Sequence, residues 1–336
     1  MYVNFRLALA LVVWLASASF CQEVSHVHIG PDMLWGDLER VNDDLSFHRW
    51  SQGRLLAWSR RPSPTPRVGI YDSHVQLMNT VQLEIPGSAA AAITSVDLTR
   101  NGNLVLAGIA TQADGAKARY VALILHNGRL SSVVRTGAYL AHYICAADDG
   151  SVWTVGDEWI GPGEIRQSGY SVLRQYSLRT GLVRELVSRD QIRGKDVSWG
   201  TMPYNAFLAC NGSKVRFLST ISQQWFEYDR RTGLLTQDDL EPDASDITGL
   251  VVTPGGRVLA SLVDKRSANQ SRIFELAAND PNTGGRRREF RPVQGTTCAL
   301  DTICIWNLLA CEGKELVLVK GGLGAKQLYG SVLNDN

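Results

Sequence analysis

Apolar and polar residues alternate along this chain in short runs. The runs come in pairs flanking a turn that ends in glycine. Leu45–Trp50 and Arg54–Ser59 flank Gln52-Gly53, and Ile93–Leu98 and Asn103–Ile109 flank Asn101-Gly102. His142–Ala147 and Ser151–Val155 follow around Asp149-Gly150, then Ala206–Cys210 and Lys214–Ser219 around Asn211-Gly212. Ile247–Thr253 and Arg257–Val263 flank Gly255-Gly256, and Ile303–Ala310 and Lys314–Val319 flank Glu312-Gly313. A period of two marks half-buried strands, and Asn-Gly and Asp-Gly between such runs are strong hairpin signals because both positions accept positive φ. No run shows the three-to-four spacing of an amphipathic helix, which sets aside α/β and helical-solenoid folds.

A second hairpin lies between successive copies. Tyr120–His126 turns at Asn127-Gly128, Val172–Leu178 at Thr180-Gly181, and Gln224–Asp229 at Thr232-Gly233. Arg272–Leu276 precedes a longer loop containing Thr283-Gly284, and Val68–Tyr71 with Val75–Leu83 fills the slot in the first copy. Each unit therefore carries four strands in a meander. Four-strand units at a period of about 40–50 residues are the signature of a β-propeller. The last unit shows only three strands, Ile303–Ala310, Lys314–Val319 and Lys326–Leu333. The orphan segment Glu23–Ile29 is expected to supply the fourth and close the ring. The fold class is thus all-β, a propeller of six four-stranded blades. Seven is the alternative, with the interval Gly156–Asn205 holding extra strands.

Two segments carry a family resemblance, Ala147-Asp148-Asp149-Gly150-Ser151-Val152-Trp153 and Tyr228-Asp229-Arg230-Arg231-Thr232-Gly233. They resemble repeats of the six-bladed NHL and TolB-like propeller superfamily, and the first also resembles the repeat of two-component regulator propellers. The resemblance implies a propeller over nearly the whole chain. Such families include scaffolds, ligand binders and lactone hydrolases, so it names no functional residue. The paired Gly-His and Trp-Asp signature of WD40 blades and the double glycine of kelch repeats are absent from the sequence.

The N-terminus changes the compartment. Arg6, the apolar run Leu7–Trp14 and the small residues Ala16-Ser17-Ala18 form a secretory signal pattern. Residues 1–18 are expected to be a signal peptide cleaved after Ala18, and 19–336 a single propeller domain, secreted or periplasmic. An uncleaved anchor is the alternative reading. Phe20 before Cys21 argues against lipidation, and no later run reaches membrane-spanning length, so no membrane insertion is expected after signal removal. Past Ala18 stand Cys21, Cys145, Cys210, Cys298, Cys304 and Cys311. Cys298 and Cys304 are the expected disulfide; Cys145, Cys210 and Cys311, in apolar strand contexts, read as buried small hydrophobes.

Composition narrows the function classes. The 336 residues are 20% charged and 44% hydrophobic, ordinary for a globular chain. With 34 Lys+Arg against 33 Asp+Glu, the net charge is +1, and no nucleic-acid partner is expected. There is no Gly-x-Ser-x-Gly elbow, His-Glu-x-x-His, Walker loop or Cys-x-x-Cys. No cofactor or metal is expected. His26-x-His28 reads as an exposed pair on an outer strand. The acidic stretch Asp238, Asp239, Glu241, Asp243 and Asp246 reads as a solvated loop, as does the basic cluster Arg286-Arg287-Arg288 with Arg291. Gly161-Pro162-Gly163 is a loop.

Position is a better guide than motif. In a propeller the innermost strands line one central channel, and polar residues at their starts face a shared mouth. His48, Asp97, His142, Asn205, Asp246 and Asn307 are assigned to those starts. Trp153, Trp225 and Trp306 lie within strands and read as blade packing, whereas Trp159 and Trp199 flank the interval that breaks the repeat. The candidate ligand site is therefore His142, Asn205 and Asp246 for polarity, with Trp159 and Trp199 on the rim. The leading reading is an exported, non-enzymatic propeller that binds a protein or small-molecule ligand. The alternative is a lactonase-like, metal-dependent hydrolase at the channel mouth; a detached sensor module ranks last.

Overall fold

A computed structural model describes residues 27–41, 45, 47–160, 165–166, 171–192, 206–219, 223–240, 247–264, 270–277, 287–288, 290–295, 305–321 and 326–335. The strands form six separate antiparallel meanders, the six blades of a propeller. Blade 1 is Phe47–Ser51, Arg54–Trp58, Arg67–Tyr71 and Leu77–Gln82. Blade 2 is Ser88–Leu98, Leu104–Gln112, Lys117–Ile124 and Leu130–Arg135. Blade 3 is Tyr139–Ala146, Val152–Ile160, Ser171–Ser177 and Gly181–Ser188. Blade 4 is Ala206–Asn211, Lys214–Ser219, Gln224–Asp229 and Leu235–Leu240. Blade 5 is Ile247–Val252, Val258–Asp264, Gln270–Leu276 and Phe290–Pro292. Blade 6 is Ile305–Glu312, Glu315–Gly321, Lys326–Asp335 and, from the other end of the chain, Val27–Asp37.

The alternation in each strand feeds two interfaces at once. Leu56 and Trp58 pack toward blade 2, while Leu55 and Ala57 pack toward blade 6. In blade 2, Leu104, Leu106 and Ala110 join the first layer and Val105 and Ala107 join a layer shared with blade 3. In blade 4, Val215 and Phe217 face blade 3, whereas Leu218 faces blade 5. The buried apolar residues accordingly fall into layers between consecutive blades, including one between blades 5 and 6 and one between 6 and 1. A sheet apolar on both faces needs a neighbour on each side, and a closed ring provides it for every blade.

The expected closure is present and longer than its sequence pattern suggested. Val27–Asp37 pairs antiparallel with Lys326–Asp335, with Val27 opposite Asp335, Ile29 opposite Leu333 and Asp37 opposite Gln327. Residues 23–26 of the expected strand lie outside the described residues. The polar and glycine positions Gly30, Pro31, Asp32 and Gly36 interrupted the apolar pattern, and the ladder absorbs them with register shifts between Ile29 and Asp32 and between Leu34 and Gly36. Glycine is required opposite: a Cβ on Gly330 would lie 2.1 Å from the Trp35 ring. The strand edge is further held by Gln294 of blade 5, whose carbonyl accepts from Ile29 N at 2.9 Å.

Among the described residues, the interval that breaks the repeat carries a strand extension and the two outer strands of blade 3. The second strand of blade 3 continues to Ile160, and its end pairs with the two-residue strand Ile165–Arg166.

The two motif segments meet across the blade 3–4 interface. Trp153 and Tyr228 pack with ring centroids 5.4 Å apart, and Arg230 pairs with Asp149 at 2.5 Å. Trp153 and Trp225 are fully buried, as expected for blade packing; the Trp306 side chain lies outside the described residues. The acidic and basic stretches, expected as separate solvated loops, are partners. Arg287–Arg288 adds in parallel to the outer strand of blade 4, and Arg288 Nε lies 2.7 Å from Asp238 Oδ2. Glu241, Asp243 and Arg286 lie outside the described residues.

Ile29 is 1% exposed inside the closing interface. Ile29→Ala should destabilise the protein by about 2–5 kcal/mol. Met33→Ala, on the same strand at 60% exposure, should cost less than about 0.5 kcal/mol. Urea unfolding of the two variants measures the difference.

Candidate functional site

The six innermost strands enclose a central channel of about 640 Å³. Phe47, His48, Trp58, Arg60 and Phe207 line it toward the end where the inner strands begin; Gln52, Asp148, Gly212, Pro254 and Glu312 line it where they finish. Ser95, Asp97, His142, Tyr143, Thr248 and Leu308 lie along its wall.

Asp97 is the most heavily engaged polar group in this wall. Its carboxylate accepts from Ser51 Oγ at 2.6 Å, Arg49 Nη2 at 3.2 Å, Ala146 N at 2.9 Å and Leu98 N at 3.0 Å. These donors come from blades 1, 2 and 3. Arg49 continues the bridge, donating from Nη1 to Ile144 O at 2.7 Å. Asp97 was expected at the start of an inner strand. It is instead the penultimate residue of Ser88–Leu98, at the opposite end, as it already is within the run Ile93–Leu98; the strand itself begins five residues earlier, at Ser88. The alanine run Ala89–Ala92 lacks the β-branched signature of a strand, so sequence pattern placed the start late.

Comparable links join the remaining inner strands. Thr94 Oγ1 donates to Ala141 O at 2.6 Å, and Ser95 Oγ accepts from Ile144 N at 3.2 Å. Asn211 Nδ2 donates to Thr253 O at 2.9 Å between blades 4 and 5. Gly53 N donates to Glu312 Oε1 at 2.8 Å between blades 1 and 6. Between blades 3 and 4 the link is covalent: Cys145 and Cys210 form a disulfide, with Cα atoms 5.9 Å apart. This corrects their assignment as separate buried hydrophobes. Strands from different units are neighbours only once the ring exists, so 65 residues of separation gave no spacing signal. The expected bridge Cys298–Cys304 lies outside the described residues. Cys311 is half-buried.

Among the five expected ligand residues, Asn205, Asp246 and Trp199 lie outside the described residues. His142 does line the channel and is buried. Its Nε2 lies 3.1 Å from Oδ2 of Asp157, a fully buried carboxylate on the adjacent strand of blade 3. Asp157 was not singled out from sequence; an acid between Gly156 and Glu158 near the end of an apolar strand was the available signal. Trp159 is half-buried on the extended strand of blade 3, with its backbone N donating to Ala138 O at 2.9 Å just before the inner strand. It stands beside the channel wall rather than in it.

His48 has a distinct environment. Its Nε2 is buried and has no hydrogen-bond partner among the described residues. Burial, with the Lys326 ammonium adding repulsion, lowers its pKa from 6.5 to about 4. The imidazole is therefore neutral at pH 7.

Among the described residues, no group of three His, Cys, Asp or Glu side chains is placed to hold a metal ion. No helix of the described residues is long and apolar enough to cross a membrane.

No known family matches the chain, and no curated protein does. Solved structures with a similar fold include a luciferin-regenerating enzyme, 10% identical, covering 90% of this chain and 95% of its own, with a TM-score of 0.51. Virginiamycin B lyase from Staphylococcus aureus is 9% identical over 91% of this chain and 99% of its own, TM-score 0.46. The periplasmic gluconolactonase of Pseudomonas aeruginosa is 16% identical over 84% and 82%, TM-score 0.41. At these identities the likeness is one of fold.

Two outcomes follow from the wall. Asp97→Ala leaves the Arg49 guanidinium without its carboxylate and should cost about 3 kcal/mol or more, read by urea unfolding. His48 contributes a pH dependence of definite sign. The unfolded chain takes up its proton near pH 6.5 and the folded chain only near 4, so stability is lost as pH falls through that window, by up to about 3 kcal/mol. The stability difference between the native protein and His48→Leu, measured from pH 7 to 4, should change by that amount.

Proposed function

We propose that this protein is an exported, non-enzymatic propeller of the NHL/TolB-like kind that binds a small ligand in its central channel. The observation that carries the reading is the channel itself, about 640 Å³ within the usual range for a small-molecule site and walled by aromatic and polar side chains. Two of the wall's polar groups are committed to the scaffold. Asp97 is held by four donors from three blades, and His142 faces Asp157. Groups so engaged position strands; they are poorly placed to take protons from a substrate or to ligate an ion.

Export rests on the signal pattern of residues 1–18 and is supported by the Cys145–Cys210 disulfide, a bond favoured in oxidising compartments. The alternative is a lactonase-like hydrolase with a metal at the channel mouth, whose candidate ligands Asn205 and Asp246 lie outside the described residues.

Thermal-shift screening of small molecules against the native protein and Ala146→Trp tests the reading, since Ala146 lines the channel. Binders should raise the native Tm and leave that of the filled, still β-rich variant unchanged. Lactone hydrolysis that disappears on chelation would establish the alternative instead.

A further inference from the structure

Arg60 enters the channel from the segment after the second strand of blade 1, and its surroundings are one-sided. Its Nε donates to Thr94 O at 3.1 Å, which fixes the plane of the guanidinium. Its Cζ sits 4.1 Å from the centroid of the Phe47 ring, and Phe47 in turn stacks on Trp58 at 6.0 Å. The two Nη nitrogens have no hydrogen-bond partner among the described residues. Tyr143 and Phe207 line the same cavity.

Among the described residues, the other charged groups of the wall do not neutralise this cation. Asp97 is paired with Arg49. Glu312 accepts from Gly53 N, and Asp148 lies just before the blade 3 turn; both stand at the far end, where the inner strands finish. Partial burial lowers the Arg60 pKa below its ordinary value, with the Tyr143 phenol acting in the opposite direction.

We propose that the Phe47 end of the channel is a site for a small organic anion with a planar apolar body. The carboxylate or an equivalent anionic group pairs with the two Nη nitrogens of Arg60, and the planar body lies against Phe207 and Tyr143. This deepens the channel-binding reading and rests on it. A planar guanidinium presents two parallel donors that match a carboxylate, and its stacking on Phe47 with the Nε bond pre-organises it, so little freedom is lost on binding. The aromatic wall favours flat ligands over bulky aliphatic ones. A neutral ligand would leave the guanidinium desolvated, so the site discriminates by charge as well as by shape.

The test uses benzoate and indole-3-acetate as probes, with benzamide and indole-3-acetamide as their neutral counterparts. Binding is followed by tryptophan fluorescence and thermal shift on the native protein, Arg60→Gln and Arg60→Lys. The carboxylates should bind at least tenfold more tightly than the amides, Arg60→Gln should abolish that preference, and Arg60→Lys should restore part of it. Amides binding the native protein as well as the acids, or a preference unchanged in Arg60→Gln, would overturn the anion site while leaving a channel binder in place. If a broad neutral and cationic set binds in the channel and the acids do not, the anion site is overturned in the same way. If no compound of any charge binds, both this inference and the channel-binding reading fall.

Discussion

Every blade of this protein is apolar on both faces, and that single constraint organises the rest. Adjacent residues in one strand, such as Leu55 and Leu56 or Phe217 and Leu218, belong to different apolar layers. One blade alone would leave one or both faces in water. An open stack of blades would leave two exposed ends. Closing the ring removes both, and the strand Val27–Asp37 performs the closure by completing blade 6 from the opposite end of the chain. Residues distant in sequence become neighbours here, as in the 2.6 Å contact of Ser331 Oγ with Asp32 Oδ1. Such long-range pairing forms late and at a large loop-closure cost. The first and last strands are therefore where the ring is easiest to open.

Apolar layers specify that blades stack; they do not fix the rotation of one blade against the next. The polar links around the channel supply that. Asp97 gathers donors from three consecutive inner strands, Asn211 and Glu312 each cross one interface, and a disulfide crosses another. A buried carboxylate carries a desolvation cost that only a complete set of donors offsets, so Asp97 tolerates one arrangement of blades 1 to 3. The disulfide acts on the unfolded chain instead. Closing a 65-residue loop lowers the entropy of that state, worth about 4 kcal/mol in the chain-entropy picture.

These two kinds of interaction differ in how much the sequence reveals of them. The strand pairs, turn glycines, blade number and identity of the closing strand follow from local periodicity, because each strand reports its own two-sided burial. Trp153 and Trp225 were legible as packing residues for the same reason. Contacts between units leave no local trace. Nothing near Cys145 points to Cys210, and nothing near Asp97 points to Arg49 or Ser51. Asp97 could be placed near the end of an inner strand from the run Ile93–Leu98, but the start of that strand could not. The alanines that begin the strand carry weak β-preference. His142 lines the channel, and its partner Asp157 sits on a different strand of the same blade, at a spacing set by a register shift between Ala141 and Tyr143.

The same division explains why function is harder to read than fold in this architecture. Inner-strand polar residues answer to two demands, holding the blades in register and meeting a ligand, and residue type alone does not separate them. Bonding does. Asp97 and Arg49 satisfy one another across three blades, so their polarity is consumed by the ring. Arg60 satisfies the scaffold through one nitrogen and a ring face only, and its remaining donors point to no described protein group. A half-buried polar side chain held rigidly by the scaffold keeps donors that a ligand can engage with little further loss of freedom. Within a shared channel, that surplus capacity is a better marker of a ligand contact than burial, residue type or position along the strand.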